Sequence, residues 1–116
     1  MIHAEFKSDD NGLHMTIKGH AGQAPAGQDI VCSAVSILAN MAARFAMTEE
    51  KCGSFKEQPL IKLEEGDTEV SVNPIEEKQG AFAFAYSFLE LGFDSIAQAY
   101  PEYVELKTFG QTSQKV

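Results

Sequence analysis

The sequence predicts an α+β fold, a single-domain sandwich in which helices pack on a mainly antiparallel sheet, in the order ββαββαβ. Three observations lead there. Near the start, Leu13, Met15 and Ile17 alternate with His14, Thr16 and Lys18, the period of a half-buried strand. From Asp29 the period changes to steps of three and four, through Val31, Ala34, Val35, Leu38, Met41, Ala42 and Phe45, which is the period of a helix. The chain has 116 residues, enough for one domain with its own core, and no repeat or break in composition divides it.

The elements follow in order. "MIHAEF" and "GLHMTIKG" make a hairpin across the turn-rich "KSDDNG". The helix that begins after Asp29 runs to about Thr48. "QPLIKLEE" and "TEVSVNP" form a second pair of strands about "EEGD". In "EEKQGAFAFAYSFLELGF" the residues Phe82, Phe84, Tyr86 and Phe88 alternate as a strand would, but length and alanine content favour a buried helix. That aromatic stripe is most simply core, with a dimer seam or a peptide groove as its other use. Gly92 is expected to end or kink this helix, and Asp94 to cap a short final one, "SIAQAY", stopped by Pro101. "EYVELKTF" is the last strand and "GQTSQKV" a frayed tail.

Composition excludes several classes of function. Seventeen acidic residues against nine basic ones leave a net charge of −8, which argues against nucleic-acid binding, suits a basic partner, and also serves plain solubility. No run reaches the about eighteen apolar residues of a membrane helix, and the start lacks an export signal. The two cysteines, Cys32 and Cys52, make no disulfide framework, so the expectation is a cytoplasmic protein with reduced thiols and no membrane partner.

The chemistry concentrates in "IKGHAGQAPAGQDIVCSAVS", Ile17 to Ser36. Asp29 is a natural N-cap, which places Cys32 at the third helical position, where free amides and the helix dipole favour a thiolate. The carboxylate of Asp29 acts in the opposite sense. Ser36, four residues on, lies on the same line of the helix as Cys32, beside the core stripe. A small buried core thiol is the plainer alternative for Cys32. His20 ends the second strand, one loop away; it suits a turn, and equally a base that takes a thiol proton and returns it to a leaving amine. The glycines of the loop with Gly22, Pro25 and Gly27 would let it open and close over a substrate. C-x-x-C, H-E-x-x-H and G-x-S-x-G patterns are absent, and the histidines and cysteines are too scattered to argue for metal, so neither metal nor other cofactor is expected. Cys52, beside two glutamates, reads as an incidental thiol.

"GHA", a loop and then "G-x-D-I-V-C-x-A-V-S" resemble the signature of the ribosomal-processing cysteine proteases (Prp), and length, element order, acidity and the closing "YPEYVEL" extend the likeness over nearly the whole chain. The resemblance implies one protease domain over residues 1–116, Cys32 as nucleophile, and His20 as general base and acid, with Asp29 and Ser36 supporting. It further implies a homodimer, a mobile loop over Gly22 to Gly27, and a substrate: the N-terminal extension of a large-subunit ribosomal protein, the one numbered twenty-seven, cut beside a pair of aromatic residues. Two positions depart from the pattern. The loop has Ala24 and Ala26 where many relatives carry an aromatic, and Ser33 replaces the common alanine after the cysteine. The rival readings are a non-catalytic escort for a basic ribosomal protein during assembly and a thiol redox sensor.

Overall fold

The computed structural model describes residues 1–21 and 29–110. Its strands are β1 (Ile2–Asp9), β2 (Gly12–Lys18), β3 (Leu60–Glu64), β4 (Asp67–Val72) and β5 (Val104–Gly110); its helices are α1 (Ile30–Lys51) and α2 (Gln79–Ala99), the latter preceded by a 3₁₀ turn, Glu76–Lys78. The order is the expected ββαββαβ. The strands lie in one sheet in the spatial order β3-β4-β2-β1-β5. All neighbours are antiparallel except β1 and β5, which run parallel, Ile2 opposite Val104.

Both hairpins turn on two residues, closing on Asp9 opposite Gly12 and on Glu64 opposite Asp67. Alternation then decides the faces. Ile2, Ala4, Phe6, Met15, Ile17, Val70, Val72 and Val104 point to one side and are buried. Both helices pack there, Phe6 meeting Tyr86 and Phe93 of α2 at ring distances of 6.0 and 5.6 Å. The other side of the sheet is polar and open to water, a common arrangement for an antiparallel sheet. Across it run rows such as Lys62, Glu69, Thr16, Glu5 and Lys107.

Three expectations need correction. First, α1 buries Val31, Val35, Ala39, Ala42, Ala43 and Ala46, whereas Met41 and Phe45 of the expected stripe are exposed. Small side chains let the helix lie close to the sheet, so the bulky ones are displaced to the flank, where Phe45 meets Phe82 at 5.1 Å. Second, α2 is one helix: Gly92 does not end it, and Asp94 caps nothing, accepting instead from Gln98 one turn on. A Cβ at Gly92 would come within 3.1 Å of Leu38 Cδ1, so the glycine is where the two helices approach. Third, α1 is long and apolar enough to cross a membrane by length and composition alone. Here part of that apolar character serves the core, through the buried residues just named, while Ile30, Ile37 and Met47 are exposed along with Met41 and Phe45. Of the aromatic stripe, Phe82 and Tyr86 are core and Phe84 and Phe88 are exposed.

Candidate active site

Gly19 continues β2 beyond Lys18, its N–H donating to the Gly66 carbonyl (3.0 Å) in the β3–β4 turn. Its φ of +102° and the Met1 carbonyl oxygen, 2.3 Å from where a Cβ would stand, leave room for glycine alone. The next residue, His20, is held by its backbone, the carbonyl accepting from the Met1 nitrogen (2.8 Å). Its ring lies across Gly66: a Cβ there would be 2.5 Å from Nε2 and 2.7 Å from Cε1. Two strand ends and one tight turn thus set the histidine's place.

The cysteine is set by the helix start. Asp29 is buried and caps α1 as expected, its Oδ1 accepting from the Cys32 amide at 2.9 Å while its carbonyl accepts from the Ser33 amide at 3.1 Å. The amides of Cys32 and Ser33 are therefore engaged within the cap. Cys32 is half-buried. Burial pushes its thiol up, and the neighbouring Asp29 and the charge of Glu65 add to that; the Ala21 amide, hydrogen-bonded to the thiol, opposes it. The balance favours the protonated thiol, with burial its largest cause and the capping carboxylate adding to it.

Cys32, His20 and Ser36 line one pocket of about 410 Å³ between α1 and the β3–β4 turn, whose far wall is Leu63, Glu64 and Glu65. Asp29 stands behind the cysteine. All four site residues expected from the sequence thus fall at one place; the expected mobile loop of Gly22, Pro25 and Gly27 lies outside the described residues. Sequence reasoning missed the Ala21 amide, Gly66 and Glu65. "EEGD" signalled a turn and nothing about what the turn would touch. Cys52 caps the far end of α1, exposed. His14 bridges Ser71 Oγ and Asp9 Oδ1, both at 2.9 Å, on the open side of the sheet, away from this pocket. Among the described residues no three His, Cys, Asp or Glu side chains converge as metal ligands would.

A family model, the cysteine protease Prp, matches residues 1–105. The chain belongs to the Prp family. It is accordingly a cysteine protease, and among solved structures the Prp fold recurs. An essential ribosomal processing protease Prp from S. aureus, in complex with a covalently linked product peptide, superposes with a TM-score of 0.72 at 19% identity, over 93% of this chain and 99% of that one. The same protease with a substrate peptide gives 0.67 at 17%, with the same coverage. SMU.848 from Streptococcus mutans gives 0.65 at 26%, over 96% of each chain. No curated protein sequence matches. With this Prp fold the five strands and two helices agree with the class expected from the sequence.

Proposed function

We propose that this Prp-family protease removes the N-terminal extension of a large-subunit ribosomal protein, number twenty-seven, with Cys32 as nucleophile and His20 as base and acid. The observation that carries the reading is that a helix-start thiol and a strand-end imidazole open into one pocket. The solved S. aureus relatives, ribosomal processing proteases holding peptides, support the substrate class.

In this reading His20 accepts the thiol proton as the Cys32 sulfur bonds to the scissile carbonyl carbon. Burial raises the thiol's pKa, and His20 is the base that the attack then needs. Negative charge moves to the carbonyl oxygen, and the Ala21 amide, already directed at the sulfur, is a donor close to it. Asp29 disfavours the thiolate beforehand. The intermediate collapses to a thioester, the C–N bond breaks, and His20 protonates the departing amine. His20 then takes a proton from water, which attacks the thioester, and the acid leaves as the thiol is restored. Ser36, one turn along the pocket wall, is a hydroxyl donor for the bound peptide.

The protein's net charge of −8 favours encounter with a basic ribosomal protein. A homodimer in the cytoplasm completes the reading; the exposed Met41, Phe45, Phe88 and Leu91 along the α1–α2 seam support the dimer. The test is cleavage of a peptide spanning the extension, read by mass spectrometry. Wild type and Cys52→Ser should cut at one bond, and Cys32→Ala should be slower by about a thousandfold or more. Binding without cleavage by all three would favour the escort reading instead.

A further inference from the structure

The edge of the sheet nearest the pocket has a direction. In the β3–β4 hairpin, Glu64 and Asp67 flank a two-residue turn, so they form a hydrogen-bonded pair, as do Lys62 with Glu69 and Leu60 with Ser71. The Gly19 to Gly66 bond belongs to the same alternation. The N–H and C=O groups of Ile61 and Leu63 therefore point away from β4, off the edge of the sheet, where no described residue pairs with them.

Three further facts bear on that edge. It runs straight into the pocket, because Leu63, Glu64 and Glu65 are both the end of β3 and the wall facing Cys32. It is not blunted by its charged residue: Lys62 is turned to Asp67 at 2.6 Å across the hairpin, while Leu60 and Leu63, on opposite faces, stay 50% and 43% exposed. Its pocket end carries the carboxylates of Glu64 and Glu65, which suit a basic chain. The other edge, β5, lies four strand spacings away, roughly 19 Å, and ends in no wall of this pocket.

We infer that the substrate binds as an added strand: an extended, basic peptide pairs with β3 through the main-chain groups of Ile61 and Leu63, and this pairing delivers the scissile bond to Cys32. The inference rests on the protease reading above and deepens it. Main-chain pairing supplies affinity that is tolerant of side chains, and alternate peptide residues face Leu63 and the pocket or the open side. Orientation is thereby part of the scaffold, because a peptide in register with β3 is in register with the thiol.

The experiment uses the peptide spanning the ribosomal protein's extension, N-methylated at one residue at a time, with the wild-type protein. Methylation should lower kcat/KM by about threefold to tenfold at every second residue and little at those between. With Cys32→Ala and the unmethylated peptide, amide exchange should slow at Ile61 and Leu63 and stay unchanged at Lys62, whose N–H already pairs with β4. Cleavage with no two-residue alternation and no protection of Ile61 and Leu63 overturns the added strand and leaves the protease reading standing. Protection at those two amides without cleavage of the parent peptide does the reverse. Neither protection nor cleavage overturns both.

Discussion

The Asp29 carboxylate accepts a 2.9 Å hydrogen bond from the amide of Cys32, so the group that starts the helix also holds a negative charge against the thiol at its first turn. Cap and charge are separable by mutation. Asn caps helices about as well as Asp. Asp29→Asn should therefore keep the fold, lower the thiol pKa, and speed iodoacetamide alkylation of Cys32 at neutral pH by about threefold to tenfold. Asp29→Ala should lower the thiol pKa too, but cost about 1 kcal/mol in urea unfolding through loss of the cap. Slower alkylation of the Asn variant would show that the dipole and the Ala21 amide, not the carboxylate, govern the thiol.

Gly66 supports the imidazole of His20. Gly66→Ala meets two obstacles, a left-handed φ of +72° and the ring 2.5 Å from the new Cβ. Gly53 separates them, since its φ is +73° and its surroundings are open. Both variants should lose about 1–2 kcal/mol of stability. Gly66→Ala alone should lower kcat, with the His20 ring resonances shifted in the NMR spectrum. Equal activity in the two variants would remove the positioning role.

Gly92→Ala tests the helix contact from the other side. Alanine in mid-helix is worth about 1 kcal/mol over glycine. The atoms a new methyl would meet are the tips of Leu38, a flexible side chain that is only half-buried. The expected outcome is a net gain of about 0.5 kcal/mol, read as a higher urea midpoint. A lower midpoint would mean that Leu38 is fixed by its neighbours.

The α1–α2 seam offers a test of assembly. Met41 and Phe88 are 51% and 68% exposed beside an apolar hollow of about 420 Å³. Sedimentation should find a dimer in the wild type and a monomer when both residues are changed to Glu, since burying four unpaired carboxylates costs far more than the seam returns. An unchanged sedimentation coefficient would move the dimer contact elsewhere.

The parts of this fold that were legible in the sequence are those governed by neighbours along the chain. Alternation marked β2, the three-four period marked α1, and Asp29 before an apolar run marked its start. What was not legible depends on packing between elements. Whether Gly92 breaks a helix or lets another approach depends on Leu38, fifty-four residues earlier. Which side of α1 faces the sheet was decided by the size of its alanines, not by hydrophobicity alone, so Met41 and Phe45 were misplaced. The site residues could be named because a cysteine, an aspartate and a histidine stand close together in sequence. Its far wall comes from Leu63 to Gly66, and their meeting with His20 follows from a strand order that no local pattern encodes.

The parallel pairing of β1 with β5 sets the timetable of folding. Residues 2–8 join residues 104–110, the longest sequence separation in the sheet, so β1 waits half-paired until β5 has left the ribosome. The β1–β2 hairpin and α1 can form early, but the strand that joins Ile2 to Tyr103 and Val104 arrives last. The bond from the Met1 nitrogen to the His20 carbonyl continues the β1–β2 hairpin and can form with it, whereas Gly66, across which the His20 ring lies, comes with the later β3–β4 hairpin. A nascent chain that already contains both His20 and Cys32 would still lack the far wall of the pocket until Leu63 to Gly66 arrive, and the sheet itself closes only with β5.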